Sequence, residues 1–284
     1  MDRSHLEASD RDPRVISFDL DGVIMRGAFN SALRPRIVEH IGRGATLSHL
    51  TLEERERHIW LAVRQEHDRR LGAGDFVGAW NWQAIYDRVS HGFGGEPMPD
   101  LASIVREACL IDDAVALLPG AWRGLQRLKS AGLRLVAITN GYRCFQWPVL
   151  ERLGVSEWFE SVLTPDFAGF AKPDPRMFGL VPGLVAHVGD LLLHDVLGAN
   201  LAGVQSIWLD ADLPADLLHR APIDRVREPA FIEYLQKMLE ESRYLPFHPE
   251  ATLETCTPTA VVRDVDEAAT VLLESNSAWT PASI

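Results

Sequence analysis

The chain has 284 residues, of which 46% are hydrophobic and 24% charged, and its formal charge is −12. That length serves one large domain or two modest ones around a sizeable core. The acidic balance argues against a general nucleic-acid or anionic-membrane binder, and no apolar run approaches the ~20 residues that span a bilayer.

Met1 to Pro13 is polar and charged without an apolar centre. Residues 1–12 are therefore expected to be a frayed leader rather than a secretory signal. Val15-Ile16-Ser17-Phe18 is short and apolar, which predicts a buried strand running into the loop Asp19-Leu20-Asp21-Gly22. From Arg26 onward apolar residues recur at helical spacing, as in Ile37 and Ile41, then Ile59, Trp60 and Val63. Glu53 and Glu54 after Thr51 place acid in a first helical turn. Ala102 to Leu118 reads as a further helix. Residues 26–116 are accordingly expected to be an all-helical insert, with 1–25 and 117–284 making up the second domain.

After Pro119-Gly120 the pattern alternates. Helices are predicted over Ala121–Ala131, Phe145–Leu153, Pro175–Leu180 and Asp195–Ala202. Strands are predicted over Leu133–Ile138, Ser161–Thr164, Leu184–Val188 and Gln205–Leu209. Such alternation implies right-handed crossovers and a parallel sheet, so the fold class is α/β: a Rossmann-like core with an inserted helical cap. Ala260–Arg263 and Asp266–Glu274 add a strand and a closing helix. Residues 210–260 are long for a connection and contain a helix at Phe231–Glu241. Cys109, Cys144 and Cys256 are odd in number and widely spaced, the pattern of reduced thiols in a cytoplasmic protein.

Four polar signals follow these apolar runs: Asp19 and Asp21, Thr139-Asn140-Gly141, Lys172-Pro173, and Gly189-Asp190 with Asp195 beyond it. Ligands of open parallel sheets bind in the crevice beyond the strands' carboxyl ends, which would bring these groups together. Clustered carboxylates repel by several kcal/mol per pair, so they need a cation; an all-oxygen set with room for water suits Mg²⁺. Asp19, first after its strand, is the candidate nucleophile and Asp21 the acid and base. Thr139, Asn140 and Lys172 are the candidate phosphate binders, with Lys172 neutralising charge as the bond breaks. Taken singly, each signal is more simply a turn, a loop or a helix cap. Their order along the chain points to one site.

Phe18-Asp19-Leu20-Asp21-Gly22-Val23, Thr139-Asn140-Gly141, Ala171-Lys172-Pro173-Asp174-Pro175 and Val188-Gly189-Asp190 with Asp195-Val196-Leu197-Gly198 resemble the four signatures of the haloacid dehalogenase superfamily. The helical insert is similar to that family's type-1 cap in position and character. The resemblance implies that Asp19 is the nucleophile and Asp21 the acid and base. It also implies that Asp19, the Asp21 carbonyl and Asp190 hold Mg²⁺ and that Asp195 supports the metal shell. His194 departs from the commonest pattern and receives no role.

Several chemistries share this scaffold. The haloacid dehalogenases proper lack a second Asp at the position of Asp21. Phosphonoacetaldehyde hydrolases need a cap lysine, and this chain has none before Lys129. Met25-Arg26-Gly27-Ala28-Phe29 does not resemble the cap entrance of the β-phosphoglucomutase type. The expected activity is Mg²⁺-dependent hydrolysis of a phosphate monoester of sugar-phosphate or nucleotide type. The enzyme is expected to be a monomer or homodimer acting on a small phosphorylated metabolite, without nucleic-acid or membrane partners. A 2-haloacid dehalogenase and a non-catalytic binder of Mg²⁺ and phosphate ligands are the alternatives. Gly22, Gly27 and Pro119-Gly120 are candidate hinges. Trp60, Trp80 and Trp82 suit the core of the insert better than a substrate pocket. His58 and His67 read as surface or cap-core residues, and the runs Arg55-Glu56-Arg57 and Asp68-Arg69-Arg70 as solvated faces.

Overall fold

A computed structural model describes residues 14–274; the expected leader lies outside the described residues. Six parallel strands form the core sheet: β1 (Val15–Phe18), β4 (Arg134–Ile138), β5 (Val162–Leu163), β6 (Leu184–Gly189), β7 (Gln205–Leu209) and β8 (Ala260–Val262). Their spatial order is β5-β4-β1-β6-β7-β8. The central strands β1 and β6 are buried throughout, because helices cover both faces. The order reverses at β1, between β4 and β6. That is where such sheets open a crevice for ligands.

Two short strands, β2 (Met25–Arg26) and β3 (Ala116–Leu117), pair antiparallel at the root of the insert. Between them run helices Arg34–Ile41, Leu52–Gly72, Trp82–Gly92 and Leu101–Ala108. The long helix starts at Thr51 with a reciprocal cap. The Glu54 amide donates to Thr51 Oγ1 at 3.3 Å, and the Thr51 amide donates to Glu54 Oε2 at 2.9 Å. Such a cap contributes about 1 kcal/mol. The helix expected over Ala102–Leu118 ends at Ala108 instead. Turns follow from Cys109, Asp113 takes the left-handed region at φ 62°, and the chain then extends into β3.

The expected solvated run Asp68-Arg69-Arg70 is structural. The buried carboxylate of Glu66 accepts from Arg69, Arg70 and, across to the next helix, Arg88. Arg55 is equally committed, donating to the carbonyls of Leu47, Ser48 and Leu50.

Residues 210–259 do two jobs. Leu213, Leu217, Phe231 and Leu235 pack on Trp208 and Val261 and so cover the β7–β8 edge of the sheet. Arg225, almost fully buried, forms a bidentate pair with Glu267 of the closing helix Val265–Glu274. Farther on, the chain reaches the cap. Arg243 pairs with Asp68, and His248 stacks on Phe76 at 6.0 Å between ring centroids. From the other side, the Tyr142 hydroxyl donates to the Val77 carbonyl at 3.1 Å. Cap and core therefore meet in several places besides β2 and β3, and a cavity of about 790 Å³ lies between them. No helix among the described residues is long and apolar enough to cross a membrane.

Candidate active site

The cavity floor is the carboxyl end of the sheet. Asp19 follows β1, and its amide donates to the Val188 carbonyl at 2.8 Å, so the backbone is still in register with β6 where the side chain projects. Asp190 follows β6. Each of Asp19, Asp190 and Asp195 places a carboxylate oxygen within 4.8 Å of the others'. Lys172 lies among them, almost fully buried, 2.9 Å from Asp19 and 2.5 Å from Asp195. Backbone proximity permits this crowding. A Cβ on Gly22 would stand 2.2 Å from Asp190 Oδ2, and one on Gly189 would stand 2.1 Å from the Asp195 carboxyl carbon. Gly22 also holds φ 85°, where a side chain would be strained.

The charges do not balance. Burial raises the Asp19 carboxyl against the pull of Lys172. Burial and its acidic neighbours raise Asp190 well above the ordinary range. Burial would raise Asp195 too, but Lys172 and His187 outweigh it and hold that carboxyl low. Lys172 keeps its proton because Asp19 and Asp195 outweigh its desolvation.

The oxygens of Asp195 are used. Oδ1 meets Lys172 and His187 Nε2, and Oδ2 accepts from the Leu191 amide at 2.9 Å. In contrast, Asp190 Oδ1 is buried without a hydrogen-bond partner among the described residues, and Asp19 Oδ1 has the Lys172 ammonium at 2.9 Å beside it. An unpartnered Asp190 oxygen, with a carboxylate oxygen of Asp19 within 4.8 Å of one from Asp190, suits a hard divalent cation.

Asp21 faces the cavity. It is open to water there, yet protein surrounds it, and this desolvation pushes its pKa up to about 6 against the opposing hydrogen bond from Gln146. Gln146 Nε2 donates to Asp21 Oδ2 at 2.7 Å. Gly141 leaves space for that amide, since a Cβ there would lie 2.1 Å from Gln146 Nε2.

Thr139 follows β4, with Oγ1 accepting from the Gly141 amide at 3.1 Å. The Asn140 side chain is already occupied. It donates to the Lys172 carbonyl at 3.0 Å and accepts from the Lys172 amide at 2.8 Å. It fixes the segment that carries Lys172, so a phosphate contact from Asn140 would have to come from its main chain.

All the sequence-designated residues converge on this floor. Two partners were not anticipated. Gln146 sits on the apolar face of helix Arg143–Arg152. His187 lies inside β6 and is linked to Ser17 Oγ at 2.8 Å on one side and Asp195 at 3.0 Å on the other. Burial lowers the His187 pKa, so the ring is neutral, and its tautomer is assigned from these partners. A polar residue at each of two adjacent strand positions that face one another was the available signal.

The wall above the floor is aromatic. Phe29–Trp60 ring centroids lie 5.7 Å apart, Trp60–Tyr86 6.4 Å, Tyr86–Trp82 5.9 Å, Trp82–Trp80 6.2 Å and Trp80–His194 5.3 Å. These rings pack on one another as a core would and also line the cavity. His194, left without a role by the sequence, closes the row one residue before Asp195.

The family model of haloacid dehalogenase-like hydrolases matches residues 13–203. A glyceraldehyde 3-phosphate phosphatase of Methanothermobacter thermautotrophicus is 38% identical over 102 residues, 34% of this chain and 45% of that protein. A phosphoserine phosphatase of Thermus thermophilus is 37% identical over 117 residues, 39% of this chain and 47% of that protein. The matched stretches thus span just under half of these relatives' length. Among solved structures, a HAD phosphatase from Thermococcus onnurineus superposes with TM-score 0.57 at 19% identity, over 71% of this chain and 88% of that one. The L-2-haloacid dehalogenase of Xanthobacter autotrophicus gives 0.54 at 17% identity, over 92% of this chain and 98% of that one. At those identities the likeness is one of fold.

Proposed function

Because the chain belongs to the haloacid dehalogenase-like hydrolases, we propose that it hydrolyses a small-molecule phosphate monoester through an aspartyl-phosphate. The observation that carries this reading is Asp21, a second carboxyl two residues from Asp19 that faces the cavity on a hydrogen bond from Gln146. An alkoxide leaving group needs a proton and a halide does not. A second carboxyl lining the same cavity as the nucleophile therefore favours phosphate esters over 2-haloacids. We place the helical cap at residues 26–116, with 1–25 and 117–284 as the core.

In this reading an Asp19 oxygen attacks phosphorus while the bond to the leaving oxygen breaks and Asp21 transfers its proton to that oxygen. Water then attacks the aspartyl-phosphate, gives its proton to Asp21, and releases phosphate with Asp19 restored. Lys172, held between Asp19 and Asp195, offsets charge on the phosphoryl oxygens. Thr139 and the amides of the following turn bind those oxygens. Asp195 acts through Lys172, and His187 and Asn140 fix the pair. Asp19, the Asp21 carbonyl and Asp190 would hold Mg²⁺, which supplies Lewis acidity toward the phosphoryl group when bound.

The test is release of 4-nitrophenol from 4-nitrophenyl phosphate with Mg²⁺ and with EDTA, beside chloride release from 2-chloropropionate. Metal-dependent phosphate ester turnover without chloride release is expected. Chloride release without added metal, or no turnover of either compound, would overturn the reading.

A further inference from the structure

We propose that the aromatic wall and Arg64 form a leaving-group subsite for a phosphate monoester whose alcohol carries a planar, largely apolar body and, beyond it, a second anionic group. This rests on the phosphatase reading and names the substrate class of the same cavity. The argument begins with continuity. The ring contacts from Trp60 through Tyr86, Trp82 and Trp80 run without a break to His194, beside the carboxylate floor. A phosphoryl group seated at Asp19 would direct its alcohol along that wall. Tyr86 and His194 are buried behind the row, and the half-buried rings of Trp60, Trp80 and Trp82 offer another flat apolar surface area and stacking while giving a polyol little to hydrogen-bond.

Size points the same way. About 790 Å³ lies in the range of sites that enclose sizeable organic ligands, and a three-carbon phosphate would leave most of it empty. The charge adds the second anion. Arg64 lines the cavity and has no acidic partner among the described residues; the neighbouring group its charge acts on is the Tyr244 phenol. Of the other arginines on the lining, Arg243 is paired with Asp68, Arg34 lies 3.6 Å from Glu56 and 4.9 Å from the Trp60 ring, and Arg26 donates to the Asp113 carbonyl at 3.3 Å. A cation left over at the cap side of a substrate cavity, far along the chain from Lys172, has an anion as its natural partner.

The test uses alkyl esters so that the leaving alcohols differ little in acidity: propyl phosphate, 2-naphthylmethyl phosphate and 6-carboxy-2-naphthylmethyl phosphate. With the full chain and Mg²⁺, kcat/KM is expected to rise by about tenfold or more at each step. Arg64→Gln should bring the carboxylated-to-plain ratio down to about one, and Trp82→Leu should shrink the naphthyl-to-propyl ratio by about tenfold. Because each ratio is taken within one variant, a general loss of activity does not affect it. Calorimetric binding of the three esters to Asp19→Asn gives the same ranking without turnover. Equal affinity for all three, or a ratio unmoved by Arg64→Gln, overturns the subsite even if every ester is hydrolysed. Should no ester be hydrolysed while the binding ranking holds, the phosphatase reading fails and the subsite stands.

Discussion

The two ends of the cavity are made from different materials. At the sheet end three acidic side chains bring oxygens within 4.8 Å of one another, one lysine bonds two of them, and glycine backbone is required to let them approach. At the cap end the wall is rings in edge and stacked contact, with Arg64 on the lining and no acidic partner for it among the described residues. Electrostatics dominates the first, where a small displacement of any charge alters all the others. Burial and shape dominate the second, where replacing one ring leaves its neighbours in place. Chemistry and recognition are thus separable in this molecule, and variants can be chosen that strike one end without the other.

The severest test removes the nucleophile. Asp19→Asn is expected to lower kcat by about 10⁴-fold or more while the melting temperature holds or rises, since a raised, crowded carboxyl is being neutralised. Activity within tenfold of wild type would reassign the nucleophile. Asp21→Asn comes next. Loss of general acid and base catalysis costs about 10²–10⁴-fold. The loss should be larger for propyl phosphate than for 4-nitrophenyl phosphate, whose leaving group needs less protonation. Equal losses on both substrates would take the proton from Asp21. Asp190→Ala should raise the Mg²⁺ concentration for half-maximal activity by about 10–100-fold. An unshifted magnesium titration removes Asp190 from the metal site. None of the three should change the binding order of the propyl, naphthylmethyl and carboxynaphthylmethyl esters, whose alcohols differ little in acidity; if one did, the two ends would not be separable.

The same contrast governs what could be read from the chain. Asp19, Thr139 and Asp190 each stand directly after an apolar strand, so local pattern plus the topology of parallel sheets was enough to gather them. Lys172 was legible only through its place in the ordered set, because nothing local marks the segment that Asn140 clasps. Gln146 and His187 were missed, being polar residues on apolar faces whose partners lie far away in sequence. The cap end was legible as helix and no further. Trp60 sits at helical spacing whether its ring meets a core or a cavity, and periodicity records a face without recording what faces it. Arg243 and Tyr244 arrive from residues 210–259, a stretch whose contacts with the cap are tertiary and leave no local trace.

The smallest effect expected concerns the cap end's own scaffold. Glu66 joins two cap helices through Arg69, Arg70 and Arg88, and the hydrogen bond from Arg69 leads in lowering its pKa from 4.5 to about 2. A depressed carboxyl stabilises the folded state above its unfolded pKa. That contribution should be complete above about pH 4.5 and should fade as pH drops toward 2. Arg69 and Arg88 are more than half exposed, so solvent screening reduces the worth of the fork to about 1–2 kcal/mol. Glu66→Gln should therefore lower stability by about that amount at pH 7 and by much less at pH 3. Chemical denaturation at the two pH values measures the difference. The Mg²⁺ titration of the variant should match wild type, because the fork touches only the cap. An equal loss of stability at both pH values would mean that Glu66 acts through packing rather than charge, and a shifted metal titration would show that the cap scaffold and the carboxylate floor are one unit.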